Sequence, residues 1–160
     1  DKINAMPHGS IYIHFVWSTK NRVPHLKTKA IRETMWQHIK ANGKLKGIFI
    51  DFVNGYQEHC HCLVSLGTEQ TISKVMQLIK GESAFWFNKQ NLIKEKFEWQ
   101  DARLNDKVGQ EYFAVSVSES VMNKVREYIK NQEEHHKKKT FQQEYDEFIE
   151  KYGFQKFNDE

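Results

Sequence analysis

The sequence predicts an α+β fold of the ferredoxin-like type, a β-α-β-β-α-β chain whose antiparallel sheet carries helices on one face. Four short segments rich in β-branched and aromatic residues predict the strands. Two segments with apolar residues at helical spacing separate them, and two more follow the last strand. The chain of 160 residues has the size of one domain, which we place at residues 6–160.

The first half of the chain supplies three strands and one helix. Ile11 to Trp17 alternates as a strand does. One face of this strand presents Ile11, Ile13, Phe15 and Trp17, and the other presents Tyr12, His14 and Val16. Thr28 to Lys44 predicts an amphipathic helix ending near Gly43. Ile48 to Val53 and Cys60 to Leu66 predict a hairpin that turns at Asn54-Gly55.

The second half predicts a helix, a long loop, a strand and two C-terminal helices. Thr71 begins the helix, and the aromatic residues Phe85 to Phe87 extend it. Residues 88–110 are polar and predict a long, mobile loop with Trp99 as an anchor. The remaining elements are a strand from Tyr112 to Val117, a helix capped by Ser118 or Ser120 that runs to about His136, and a helix from about Thr140.

Composition predicts a cytoplasmic protein outside the membrane. No apolar stretch approaches the roughly 20 residues that a membrane span needs, and no signal peptide is visible. Cys60 and Cys62 lie two residues apart on one strand, a spacing unsuited to a disulfide, so we expect reduced thiols. Residues 1–5 precede Met6, and we treat them as a cloning remnant or upstream sequence.

The charge distribution is compatible with a polyanionic partner. The net charge is only +3, but basic residues cluster between Lys20 and Lys46 and between Lys124 and Lys139. An acidic stretch follows from Glu144 to Glu150. Solvated helix faces would give the same pattern, so charge alone does not decide between the two explanations.

The triplet His59-Cys60-His61 at the start of the third strand is a candidate metal site. Side chains alternate along a strand, so the two imidazoles share a face and can chelate one cation. A four-ligand zinc site that includes Cys60 and Cys62 is implausible, because adjacent residues point in opposite directions. The alternative is two polar strand residues near a turn, since His-x-His patterns are common.

The third helix carries a candidate nucleophile. Tyr128 and Gln132 are four residues apart and project from one face of the helix. A tyrosine can cleave a phosphodiester by forming a covalent protein–DNA link. Because a phenol has a pKa near 10, it needs a cation that makes the phosphate more electrophilic, and a Gln oxygen could help to hold that cation. The alternative for Tyr128 is a boundary tyrosine that covers the core.

These motifs, with several flanking segments, resemble the single-tyrosine HUH transposases of bacterial insertion sequences. The resemblance covers about residues 10–154. The matching segments are Ile13 to Lys20, Glu58 to Ser65, Lys80 to Ser83, Phe113 to Ser118, Tyr128 to His136 and Thr140 to Tyr145. One departure is Cys60, which stands where the family usually has a bulky hydrophobic residue between the two histidines.

The resemblance implies both a chemistry and a partner. It implies His59, His61 and Gln132 as ligands of Mg²⁺ or Mn²⁺, and Tyr128 as the nucleophile of a 5′-phosphotyrosine intermediate. It also implies single-stranded DNA with hairpins as the substrate and a homodimer with joined sheets, in a nucleoid-associated enzyme of bacteria or archaea. The tyrosine helix can then complete the site of its own subunit or that of its partner.

Further DNA contacts are hypotheses on basic and polar residues near these motifs. The candidates are Lys80, Ser83, Arg126, Lys130, His135 and His136. For His135 and His136, a solvated helix end is the alternative. No cofactor other than the metal is expected.

Three functions are compatible with these residues. Besides a transposase, the same chemistry could serve a replication initiator, a relaxase or a domesticated nuclease acting on repeated palindromes. A tyrosine that follows the histidines argues against a relaxase, and Gln132 in place of a nearby lysine argues against an initiator. A non-catalytic nucleic-acid-binding module on the same kind of sheet would not need His59, His61, Tyr128 and Gln132 together.

Overall fold

A computed structural model describes residues 11–100 and 112–152. The strands are β1 (Ile11–Ser18), β2 (Phe49–Gly55), β3 (His59–Leu66) and β4 (Phe113–Val117). The helices are α1 (Lys29–Leu45), α2 (Ile72–Lys89), α3 (Met122–Lys130), α4 (Gln132–His136) and α5 (Phe141–Tyr152). Short 3-10 turns occupy Lys20–Arg22 and Glu119–Val121. None of the helices in the described ranges is long and apolar enough to cross a membrane.

The four strands form one antiparallel sheet in the order β2-β3-β1-β4. The central strands β3 and β1 pair so that Phe15 lies opposite Cys62 and Val16 lies opposite His61. Together with the helices α1 and α2, this order is that of a ferredoxin-like unit, so the predicted fold class is confirmed. The register also fixes which residues of β1 and β3 share a face.

The first face of the sheet packs against α1 and α2 and forms the main core. Phe15, Trp17, Cys60 and Cys62 lie on this face and are buried. The predicted alternation of β1 and the inward direction of Cys60 are therefore confirmed. Burial raises the pKa of both thiols, so these cysteines act as small apolar side chains.

Threonine caps begin both helices of the first face. The Thr28 hydroxyl accepts a hydrogen bond from the backbone N–H of Ile31, and the Thr71 hydroxyl accepts one from Lys74. The helix starts expected at these two threonines are correct. Helix α2 ends at Lys89 rather than before residue 88, and the following segment buries Phe97 and Trp99.

Trp99 is thus the anchor that the sequence predicts. The rest of the predicted loop, residues 101–111, lies outside the described residues.

The second face of the sheet is covered by the three C-terminal helices. Two apolar clusters join them to the sheet. One contains Val16, Phe113 and Phe141, and the other contains Leu63, Val117, Met122 and Ile129. Between these clusters the same face carries the histidines of β3. The sheet therefore separates a structural core from the layer that holds the candidate site.

The prediction of a turn at Asn54-Gly55 is wrong, because both residues belong to β2 and the chain reverses at residues 56–58. Gly55 pairs with Cys60, and a β-carbon at Gly55 would lie 2.2 Å from the carbonyl oxygen of His59. The dipeptide thus marks a close approach of two strands. Asn54 has a different task, since its side-chain amide donates to the carbonyls of Ile129 and Lys130 at the end of α3.

The single helix predicted to reach His136 is interrupted. Asn131 has φ −89° and ψ 17°, and separates α3 from α4. The prediction that a serine caps this helix is also wrong. The side chain of Ser118 makes no capping hydrogen bond, and its hydroxyl oxygen lies 2.9 Å from that of Ser120. The interruption places Gln132 at the start of a new helix, directed toward the sheet.

Candidate active site

The two histidines of the triplet lie side by side on the second face of the sheet. His59 and His61 are both fully buried, with ring centroids 5.1 Å apart. The ring of His59 stacks on Phe141 at 4.2 Å, and its Nδ1 lies 2.7 Å from Oε1 of Glu58. A carboxylate at Nδ1 fixes the orientation of the ring and leaves Nε2 directed toward the centre of the site.

His61 is held from both sides. Its Nδ1 lies 2.9 Å from Nε2 of His14 on β1, and its Nε2 lies 2.7 Å from Oε1 of Glu144 on α5. Burial lowers the pKa of His61 against the raising effect of Glu144, and burial with the neighbouring His61 lowers that of His14 well below its usual value. Both rings are therefore neutral near pH 7, the form in which imidazole binds a metal.

Gln132 reaches the same centre from the start of α4. Its side chain is fully buried, and Oε1 lies 3.1 Å from Nε2 of His59 and 3.0 Å from Nε2 of His136. Its amide donates to the carbonyl of Tyr128 at 3.3 Å. The sequence prediction that Gln132 links the tyrosine helix to the histidine pair agrees with this geometry.

Tyr128 lies beside the histidines of its own chain. Its ring centroid is 5.6 Å from that of His61, 6.3 Å from that of His14 and 5.5 Å from that of His135. Burial raises the pKa of the phenol, and the negative charge of Glu144 and a hydrogen bond to it raise it further. At neutral pH the hydroxyl is therefore protonated. Within this chain, the structure brings together four predicted site residues from distant parts of the sequence.

Glu144 belongs to the site and was missed by the sequence analysis. Its side chain is only 1% exposed. Oε1 lies 2.7 Å from Nε2 of His61 and 3.6 Å from Nε2 of His59, while Oε2 lies 2.9 Å from Nε2 of His135 and 3.2 Å from Nε2 of His136. Burial would raise the pKa of this carboxyl, but the surrounding histidines outweigh burial and hold the pKa well below its usual range.

The donor set fits a divalent cation. His59, His61 and Glu144 each offer one ligand atom, and these atoms all lie within 4.8 Å of one another. His135 and His136 form a second such group with the same carboxylate. A mixture of imidazole, carboxylate and amide donors suits Mn²⁺ and related ions, and the carboxylate and amide oxygens also suit Mg²⁺.

Two of the predicted DNA contacts lie in the core of the first face. Lys80 is buried and donates to the carbonyl of Gln100 at 2.7 Å. Ser83 is buried too, where its hydroxyl donates to the carbonyl of Lys80 and accepts from Nε1 of Trp99. A DNA contact by either side chain would require these internal bonds to break.

The other four candidates lie on α3 and α4. Arg126 makes a two-pronged ion pair with Asp51 at 2.7 and 2.8 Å, and Lys130 is exposed. His135 and His136 face Glu144, so they do not form a solvated helix end. DNA binding by all six candidate residues remains a prediction.

Comparison with known proteins agrees with this geometry. The family described as IS200-like transposases matches residues 8–132, which contain the histidine triplet, Tyr128 and Gln132. No curated protein matches the chain.

Two solved structures share the fold. One, from Deinococcus radiodurans R1 and assigned as a transposase, has a TM-score of 0.57 and 18% identity over 79% of this chain and 94% of that one. The other, a REP-associated tyrosine transposase bound to a REP hairpin, has a TM-score of 0.56 and 15% identity over 85% of this chain and 74% of that one. The family match spans most of the sequence, and the chain therefore belongs to the IS200-like transposases.

Proposed function

We propose that this transposase cleaves and rejoins single-stranded DNA through a 5′-phosphotyrosine at Tyr128, with Mg²⁺ or Mn²⁺ held by His59, His61 and Gln132. The observation that carries the proposal is the placement of the tyrosine. Its ring lies 5.6 Å from that of His61, and Gln132, four residues further along the chain, reaches His59. A nucleophile and a cation-binding group thus share one buried centre.

The reaction conserves the energy of the phosphodiester bond. The Tyr128 hydroxyl oxygen forms a bond to phosphorus, the bond from phosphorus to the 3′ oxygen breaks, and that oxygen leaves as a 3′-hydroxyl after taking up a proton. Because the pKa of Tyr128 is raised, the phenol is protonated beforehand and loses its proton as the new bond forms. A bound divalent cation would polarise the phosphate and stabilise the charge that develops on it.

Rejoining is the reverse reaction with a second strand. A 3′-hydroxyl attacks the phosphotyrosine and releases the Tyr128 phenol, so that no external energy source is needed. The residues that surround the tyrosine support this sequence of steps, because a buried site limits attack by water on the covalent intermediate.

DNA hairpins are the substrates that we propose. The solved REP-associated relative is described as bound to a REP hairpin, and this chain shares its fold. Two substrate classes follow, the hairpin ends of an insertion sequence or repeated palindromes in a genome. We propose a homodimer located in the cytoplasm with the nucleoid. Within the described residues each chain already holds its own tyrosine beside its histidines, so the dimer need not exchange tyrosine helices.

One gel tests the proposed reaction. The protein is incubated with Mn²⁺ and hairpin DNA that has single-stranded flanks, and covalent adducts are resolved under denaturing conditions. We expect an adduct that disappears with EDTA and in Tyr128→Phe but persists in Tyr145→Phe. Tyr145 is a matched control because its ring packs against Phe113 and Phe141 and, among the described residues, makes no ring contact with a histidine.

Two outcomes would contradict the proposal. An adduct that persists in Tyr128→Phe would exclude this residue as the nucleophile. Hairpin binding without any cleavage would favour the non-catalytic binding module. Comparing insertion-sequence hairpins with repeated genomic palindromes then distinguishes the two substrate classes.

A further inference from the structure

We propose that Glu144 of α5 is a fourth protein ligand of the metal centre, adding an anionic oxygen to the donors of His59, His61 and Gln132. The inference rests on the proposed function, because it concerns the same cation. Glu144 lies outside the residues 8–132 that match the family model, and the resemblance of the segment Thr140 to Tyr145 gives this residue no role.

Among the described residues, Glu144 has no ion pair with a lysine or an arginine. Its side chain is only 1% exposed, and all of its ion-pair contacts in the described ranges are with the imidazoles of His59, His61, His135 and His136. A buried carboxylate is costly unless a cation compensates for it. Imidazoles bind metals in their neutral form, so Glu144 is the anionic member of this donor set, and a bound divalent cation would supply the missing positive charge.

The spacing of the donor atoms supports direct ligation. In an octahedral site with ligands at about 2.1 Å, adjacent ligand atoms lie about 3 Å apart. Oε1 of Glu144 lies 2.7 Å from Nε2 of His61 and 3.6 Å from Nε2 of His59. Oε1 of Gln132 lies 3.1 Å from the same nitrogen of His59. These three separations are close to those of neighbouring corners around one ion.

The attachment of α5 holds the carboxylate in this position. Phe141, three residues before Glu144, stacks on the ring of His59 with planes 13° apart. The guanidinium of Arg22 lies 5.0 Å from the ring centre of Phe141 and 4.8 Å from that of Tyr145. Cation–π contacts of this kind stabilise the packing of both aromatic rings. The carboxylate is thus flanked by two anchored aromatic residues.

A carboxylate ligand changes which metals the site prefers. Imidazole donors favour Ni²⁺ and Zn²⁺, whereas carboxylate oxygens suit Mg²⁺ and Mn²⁺. Removing the charge of Glu144 should therefore weaken the binding of Mn²⁺ more than the binding of Ni²⁺. A residue that only supports the fold would affect both ions alike.

The test is calorimetric titration of the DNA-free protein with Mn²⁺ and with Ni²⁺. We expect Glu144→Gln to weaken Mn²⁺ binding by at least about tenfold. Removing a residue that only hydrogen-bonds to a metal ligand already weakens metal binding by about 10- to 100-fold. Ni²⁺ binding should weaken less. Glu150→Gln, an exposed position on the same helix, is the matched control and should bind both ions as the unaltered chain does. Unchanged or tighter Mn²⁺ binding by Glu144→Gln would overturn the inference.

A second measurement requires no substitution, in case Glu144→Gln does not fold. Crystals of the unaltered protein soaked in Mn²⁺ should show an anomalous peak with the Glu144 carboxylate bound to the ion. A peak at His59 and His61 with the carboxylate turned away would overturn the inference but leave the proposed function intact. By contrast, failure of the unaltered protein to bind Mn²⁺ would contradict both the role of Glu144 and the proposed function. A covalent adduct that still forms in EDTA would contradict the proposal that cleavage needs a metal.

Discussion

Replacing Gly55 by alanine should disturb the fold and the metal site together. Gly55 ends β2 opposite Cys60, and a β-carbon there would lie 2.2 Å from the carbonyl oxygen of His59 and 3.0 Å from the α-carbon of Cys60. Its φ angle is not positive, so alanine meets no backbone penalty of its own. The cost comes entirely from the close approach of two strands, one of which carries a proposed metal ligand.

The expected loss in the free energy of unfolding follows from the overlap between this β-carbon and the backbone of β3. Real β-carbons essentially never approach another atom to less than 3.0 Å, so the strands must separate by about 0.8 Å. Overpacking typically costs about 1–3 kcal/mol, and we expect about 3 kcal/mol here because the obstructing atom belongs to the backbone and cannot rotate away. A domain is stable by only about 5–15 kcal/mol, so this is a large fraction. The shift also displaces His59, and Mn²⁺ binding should weaken.

Gly81 provides the matched control. It is exposed within α2, and a β-carbon there would meet no atom within 4 Å. Gly81→Ala should therefore raise the free energy of unfolding by about 0.5–1 kcal/mol, because alanine is the better helix former. Urea unfolding measures both variants, and calorimetry measures their Mn²⁺ affinity. The reasoning fails if Gly55→Ala is as stable as the unaltered chain, or if Gly81→Ala destabilises as much as Gly55→Ala.

Two further predictions concern the buried histidines. His14→Ala removes the partner of His61 Nδ1 and should weaken Mn²⁺ binding about 10- to 100-fold in calorimetry. His38→Ala, whose ring stacks on Trp86, should leave it unchanged, and equal losses in both variants would refute the role of His14. Burial lowers the pKa of His14 and His61, so the unfolded chain binds protons first as the pH falls. In metal-free protein the contribution of these histidines to the free energy of unfolding should be constant above about pH 6.5. As the pH is lowered further, the free energy of unfolding should decrease by up to about 1.4 kcal/mol per pH unit for each histidine. Urea unfolding in EDTA at pH 7.5 and 5.5 checks this, and a flat profile would contradict it.

The strands, the first two helices and the position of the histidine pair could be predicted because each depends on local periodicity. The alternation of β1 separates Phe15 and Trp17 from His14, and the structure places them on opposite faces. The threonine caps at Thr28 and Thr71 are signals of the same local kind. Local patterns such as strand alternation and helix caps are therefore sufficient to predict the fold class without knowledge of tertiary contacts.

The missed parts of the site depend on contacts between distant segments. Glu144 lies in an acidic stretch that looks solvated, and only its spacing of three residues from Phe141 places it on the buried face of α5. His14 is one alternating residue of a strand until the register sets it beside His61. Asn54 matched a turn dipeptide, but its role depends on where α3 ends. No local pattern shows which distant residues these side chains contact.

The central claim is the covalent chemistry of Tyr128, and mass spectrometry of the digested protein–DNA adduct tests it most directly. Trypsin cleaves after Arg126 and Lys130, so the peptide Glu127–Lys130 isolates this tyrosine from the others in the chain. We predict that this peptide carries a nucleotide through a phosphate on the phenol oxygen. A nucleotide on any other peptide, or cleaved DNA with no protein attached at any time, would contradict the account.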